Sequence, residues 1–228
     1  MWQDYNTDVR SITGQKQKIQ MIVSQQNSCA GHSASTLAQW KIGVDYPADM
    51  VCSGPRYQYA SADGVHLTAE GCRLLGEKYA GILYQRVILG KDWQPLQPTK
   101  VKRKGKIITI HYHVPVPPLV WETRFEAPHP TVEEWKQGKG FEVTTSSGVK
   151  VAIVSAAISG DAVVITCASD PDPGARVGYA LLGEKNRMAA PFPGTFRWGL
   201  LRDSDPFQGT AAGMMQPNYG VAFEMPVP

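Results

Sequence analysis

Asp63-Gly64-Val65-His66 sets a carboxylate and an imidazole three residues apart. A histidine that acts as a general base near neutral pH needs a partner to fix its tautomer and ring orientation, and an aspartate in the same tight turn can do both. Gly64 lets such a turn close. The plainer alternative is that Asp, Gly and His ahead of a helix simply make a turn.

Other groups compete for attention. His111 and His113 stand at i and i+2 of an alternating segment and share one face, a spacing suited to metal ligation. No acidic or Cys residue joins them in the sequence, and a half-exposed strand face is the simpler account. Asp170-Pro171-Asp172 and Asp203-Ser204-Asp205 cluster oxygens of the kind calcium takes, but turn formation explains both at less cost. Trp121, Trp135, Phe196, Trp198 and Tyr219 would stack on sugar rings if exposed and pack a core if not. Cys29, Cys52, Cys72 and Cys167 form no C-x-x-C pair, so buried free thiols are expected rather than a zinc ribbon or a redox motif. No metal and no cofactor is expected.

The elements that must position Asp63 and His66 can be read from periodicity. Trp2, Tyr5, Val9 and Ile12 recur on one helical face, and Gly14 suits the left-handed residue that ends a helix. Ile19 to Ser24 is β-rich, Ser35 to Ile42 gives a weaker helical signal, and Asp49 to Ser53 predicts a second short strand before Gly54-Pro55. Thr68 caps a third helix, Glu70 sits in its first turn, and Cys72, Leu75, Tyr79, Ile82, Leu83 and Val87 predict its buried stripe, closing at Gly90. Helices alternating with short strands indicate parallel β-α units. Two such strands with three helices make a marginal sheet, so residues 1–90 read as an incomplete α/β domain.

Residues 91–105, with Pro95, Pro98 and the basic run Lys100-Val101-Lys102-Arg103-Lys104, read as a linker. From 106 to 228 the pattern alternates, as in Ile108, Ile110 and Tyr112 against Thr109, His111 and His113, and predicts an all-β antiparallel sandwich.

Composition bounds the rest. A chain of 228 residues, 43% hydrophobic and 19% charged, is ordinary globular matter. Its net charge of +3 is dispersed, so no nucleic-acid partner is expected. Its apolar runs are too short to cross a bilayer. Met1-Trp2-Gln3-Asp4-Tyr5 lacks the features of a secretory signal, which leaves extracellular, periplasmic and virion-associated settings all open.

The stretch from Ser61 to Ala80, with Asp63-Gly64-Val65-His66-Leu67 at its start, resembles the last conserved block of the SGNH hydrolase superfamily, especially carbohydrate O-acetylesterases like sialate O-acetylesterase. The order of elements over residues 2–90 fits the same resemblance. More weakly, Val177-Gly178-Tyr179-Ala180 and the segment Leu200 to Phe207 resemble C-terminal parts of such proteins, some of which append a β-sandwich. The resemblance implies that Asp63 and His66 are the acid and base of a catalytic triad. It also implies a nucleophilic serine in a Gly-Asp-Ser block, with oxyanion donors from a Gly and an Asn in later blocks, and none of these blocks precedes Asp63. Ser24, Ser28, Ser33, Ser35, Ser53 and Ser61 all lack that context, and Gly54-Pro55 and Ser61 are expected only to shape the loop.

The expected function is therefore the C-terminal part of a carbohydrate O-acetylesterase, acting on an acetylated glycan and inactive alone. An upstream SGNH segment or another chain would complete the sheet, and the uncovered sheet also allows homo-oligomers. The alternative is a non-catalytic glycan-binding or virion tail module carrying a hydrolase remnant.

Overall fold

The structure, a computed structural model, describes residues 1–26, 34–62, 66–124, 133–181, 199–210 and 215–228, with the side chains of 133–135 left aside.

Helix α1 (Trp2–Thr13) ends at Gly14 in the left-handed conformation, φ 70°, with the Gly14 N–H on Arg10 O at 2.9 Å. Strand β1 (Met21–Gln25), helix α2 (Ala34–Asp45) and strand β2 (Met50–Pro55) follow. β1 and β2 pair in parallel, with Met21 opposite Met50 and Val23 opposite Cys52, as the helix-separated strands require. β2 is buried throughout, whereas Met21, Ile22 and Val23 of β1 are only half-buried. Among the described residues no other strand joins this sheet.

Helix α3 (Ala69–Leu83) is capped as expected and runs into a π-helical turn over Tyr84–Ile88. Its buried face meets the expected stripe at Ile82, with Leu75 and Tyr79 half-buried, and departs from it elsewhere. Gly71, Leu74 and Ile82 face inward, while Cys72, Leu83 and Val87 are exposed. α1 is similar: Asn6 is buried because its amide bonds the backbone of Ile19, N–H to Oδ1 at 2.7 Å, and Tyr5 and Ile12 are left in solvent. In both helices a polar or small residue wins the inward position because the neighbouring backbone needs a partner or space there.

The basic run is not a linker. Strand β3 (Gln97–Lys104) pairs antiparallel with β4 (Ile107–His113) through a hairpin at Gly105, φ 56°. Val101 points into the core and the flanking lysines point out, so alternating charges made a strand resemble a connector.

The remaining strands are antiparallel. β5 (Val120–Trp121) is followed by the short α4 (Glu133–Gly138), then β6 (Phe141–Thr144), β7 (Lys150–Val151), β8 (Ile153–Ser159), β9 (Ala162–Cys167), β10 (Arg176–Tyr179), β11 (Leu201–Arg202) and β12 (Phe223–Pro226). They build two four-stranded sheets, β3-β4-β9-β8 and β12-β10-β6-β7, and the pair β11-β5. Ile108, Ile110, Val163 and Ile165 from the first sheet and Phe141, Val177, Tyr179 and Phe223 from the second lie in one hydrophobic core, which also takes in Trp40, Cys52 and Tyr57 from the α/β half. The Trp40 ring sits 6.0 Å from Phe223, and its indole N–H reaches Gln97 Oε1 at 2.9 Å. The Tyr57 hydroxyl donates to Gly220 O at 2.6 Å. The fold is mixed α/β with a β-rich C-terminal half. No helix among the described residues is long and apolar enough to cross a membrane.

Candidate functional site

His66 is exposed on the loop between β2 and α3, two residues before the N-cap Thr68. The base of this loop is closed by backbone pairing: Thr68 N–H donates to Ala60 O at 3.0 Å, and Ala62 N–H donates to His66 O at 2.8 Å. Ser61 Oγ donates to the same His66 carbonyl at 2.8 Å, which is the loop-shaping part expected of it. Thr68 Oγ1 accepts from Gly71 N–H at 3.0 Å and fixes the first turn of α3. Gly71 is required there, because a Cβ at this position would lie 2.6 Å from Ala60 O. Gly54 takes φ 102° one residue before the end of β2, a backbone conformation that favours glycine. Asp63, Gly64 and Val65 lie outside the described residues, so the Asp63–His66 pair remains an expectation from sequence.

Ser24 Oγ meets the Tyr79 hydroxyl at 2.9 Å and Ser53 is buried in β2, while Ser28 and Ser33 lie outside the described residues. Cys52 and Cys167 are buried free thiols, burial pushing Cys52 up to about 12. Cys72, expected inside, is exposed, and Cys29 lies outside the described residues.

Asp203 is fully buried and accepts four hydrogen bonds, from the backbone N–H of Val116, Asp205 and Asn218 and from the Asn218 side chain, at 2.6–3.2 Å. Those donors fill the lone pairs a calcium ion would need, which explains the Asp203-Ser204-Asp205 cluster as a structural hub. Asp172 likewise holds Ser146, with Oδ1 3.2 Å from its N–H. His111 Nδ1 lies 3.8 Å from Asp161 Oδ1, an acid that the β4–β9 pairing brings near and that sequence spacing hid. Among the described residues no group of three or more His, Cys, Asp or Glu side chains could hold a metal.

A polar network missed in the sequence surrounds Glu122. Its carboxylate is buried, takes bonds from Arg124 Nε at 3.0 Å and from the Tyr219 hydroxyl, and lies 3.2 Å from Arg202 Nε. Burial pushes this carboxyl up, but the bonds from Arg124 and Tyr219 outweigh it and hold the group at about 2. Tyr219 is thus buried rather than available for stacking, and Trp121 is covered by Lys139, whose Nζ is 4.6 Å from its ring centroid. The side chains of Trp135, Phe196 and Trp198 lie outside those described.

No family profile matches the sequence, and no curated protein matches it. Among solved structures, the chain is similar in fold to a carbohydrate acetylesterase from Xanthomonas citri, with a TM-score of 0.54 and 12% identity over 96% of this chain and 43% of that one. The chain therefore spans less than half the length of that protein. Two structures of the bacterial S-layer protein SbsC, one of them its N-terminal part, match at TM-scores of 0.32 and 0.31 with 12% and 13% identity, over 71% and 68% of this chain and 29% and 16% of theirs. Likeness at that level carries no argument. At 12% identity the first comparison concerns fold alone.

Proposed function

We propose that the chain supplies the acid–base half of an SGNH-type carbohydrate O-acetylesterase, with His66 as general base, Asp63 as its orienting carboxylate, and the serine nucleophile contributed by a polypeptide segment that precedes or joins it. In the reaction His66 takes the serine hydroxyl proton as the oxygen attacks an acetyl carbonyl on a glycan. It then donates that proton to the departing sugar oxygen, which leaves as a free hydroxyl as its bond to the acetyl carbon breaks, and water releases acetate from the acyl-enzyme by the same two steps.

The observation that carries this reading is the exposed His66 on a backbone-pinned loop between a buried parallel strand and a capped helix. The fold likeness to a carbohydrate acetylesterase of more than twice the matched length supports it. A two-stranded sheet with a half-buried β1, flanked by exposed Tyr5, Ile12, Leu83, Val87 and Ile88, supports the need for a completing segment.

The test is to express this chain together with the reading frame immediately upstream and treat the assembly with a fluorophosphonate probe. Labelling of one serine, abolished by prior acetyl-ester turnover inhibitors, is expected. Absence of any labelled serine in a folded assembly would remove the proposal.

A further inference from the structure

A cleft whose lining does not include His66 lies further along α3. It opens between the C-terminal half of α3 with its π-helical turn and the segment after β11, and its volume is about 310 Å³, near the lower end of the roughly 300–1,000 Å³ usual for small-molecule sites. Its lining begins at Glu77, nine residues of helix beyond Thr68 or roughly 14 Å at 1.5 Å per residue, and includes no residue of the loop that carries His66.

Its lining mixes aromatic rings with hydrogen-bonding groups. Three aromatic rings, Tyr84, Trp93 and Phe207, share it with Lys78, Gln85 and Asp205. Tyr84 is 52% exposed and Phe207 45% exposed, so two large rings stand open to solvent beside hydrogen-bonding groups. The widening of α3 into a π turn at Tyr84–Ile88 brings consecutive residues Tyr84 and Gln85 to the same cleft, an irregularity that often marks functional positions.

The polar groups are held in place rather than loose. Lys78 Nζ donates to Asn218 Oδ1 and lies 5.3 Å from the Trp93 ring centroid. Asn218 is itself locked on Asp203 by Nδ2 to Oδ2 at 2.6 Å. Asp205 Oδ1 accepts the backbone N–H of Phe207 at 3.0 Å, which holds that carboxylate in place. An ammonium has three donors and a carboxylate about four acceptor sites, so both retain capacity for a ligand.

A free anion would meet Asp205 and the Glu77 carboxylate that also lines the cleft, and a free cation would meet Lys78. A hydroxyl donates to a carboxylate and accepts from an ammonium at once, and the C–H face of a sugar ring stacks on an aromatic face. We propose that the cleft lined by Lys78, Tyr84, Gln85, Trp93, Asp205 and Phe207 is a binding site for a neutral pyranose unit. The inference does not depend on the ester-hydrolase reading, since it uses neither Asp63 nor His66.

The test is saturation-transfer NMR on the full chain with the methyl glycosides of glucose, galactose, mannose and xylose, none of which carries an acetyl ester. At least one is expected to receive saturation at its ring C–H protons. Its affinity is expected to fall roughly tenfold or more in Tyr84→Ala/Phe207→Ala, with the far-ultraviolet circular dichroism unchanged. Should the double variant unfold, Phe207→Ala alone answers the same question. His66→Ala is expected to bind as the unaltered chain does. No transfer to any of the four glycosides, undiminished binding in the ring variants, or binding lost with His66→Ala would each overturn the proposal.

Discussion

Gln25 and Ala222 exchange two hydrogen bonds across 197 residues of sequence: Nε2 donates to Ala222 O, and Ala222 N–H donates to Oε1, each at 2.8 Å. The same Nε2 reaches Thr36 O at 2.8 Å, so one buried amide ties the end of β1, the start of α2 and the entry to β12. Gln25→Ala leaves a buried N–H and two carbonyls without that partner. A loss of roughly 3 kcal/mol is expected in urea unfolding followed by circular dichroism. Because the α/β half and the β-rich half share a core through Trp40, Tyr57 and Phe223, one coincident transition is expected rather than two.

Gly71→Ala puts a methyl group 2.6 Å from Ala60 O and so presses the first turn of α3 off the loop that holds His66. A stability loss of about 1–3 kcal/mol is expected. Gly76→Ala, on the same helix with open space around it, is expected to be neutral or slightly stabilising, both variants being compared by urea unfolding.

Glu122 gives stability a defined acid dependence. Its folded pKa of about 2 lies below the ordinary 4.5, so its contribution is complete above 4.5 and is lost as pH falls from there toward 2. Glu122→Gln is expected to be less stable than the unaltered chain at pH 7, with the gap narrowing between pH 4.5 and 2 in urea titrations. A gap that stays constant over that window would contradict the assignment.

Lys78 acts in the opposite window. Burial, only partly offset by Asp203 and Asp205, lowers it from 10.5 to about 8. The unfolded chain therefore binds more protons between pH 8 and 10.5, and stability gains a rising component there. Lys78→Met is expected to remove that component, measured as the difference in unfolding free energy between variant and unaltered chain at pH 7.5 and 9.5.

Several of these residues were legible from sequence and several were not, for identifiable reasons. Thr68, Gly14 and the alternation of Ile108, Ile110 and Tyr112 act locally, through capping, left-handed backbone and strand period, and they appear as expected. Helical period finds Ile82 on the inward face of α3 but not Asn6 of α1 or Gly71 of α3, because those two are chosen by distant backbone, Ile19 and Ala60, which no helical period contains. The Lys100–Lys104 run was misjudged because charge outweighed the single inward Val101 in a segment that pairs with β4. Glu122 and Arg124 give no signal in the sequence and Tyr219 only that of an aromatic for core or stacking, since the network exists only after residues up to 97 apart in sequence meet.

On the function proposed above, His66 is the general base for a serine supplied by another segment. The most direct measurement is the rate of p-nitrophenyl acetate hydrolysis by the chain assembled with a segment that supplies the serine, with and without His66→Ala. A fall of roughly a thousandfold or more is expected, the scale on which a triad base is lost. An assembly that hydrolyses the ester equally fast without the imidazole would contradict it.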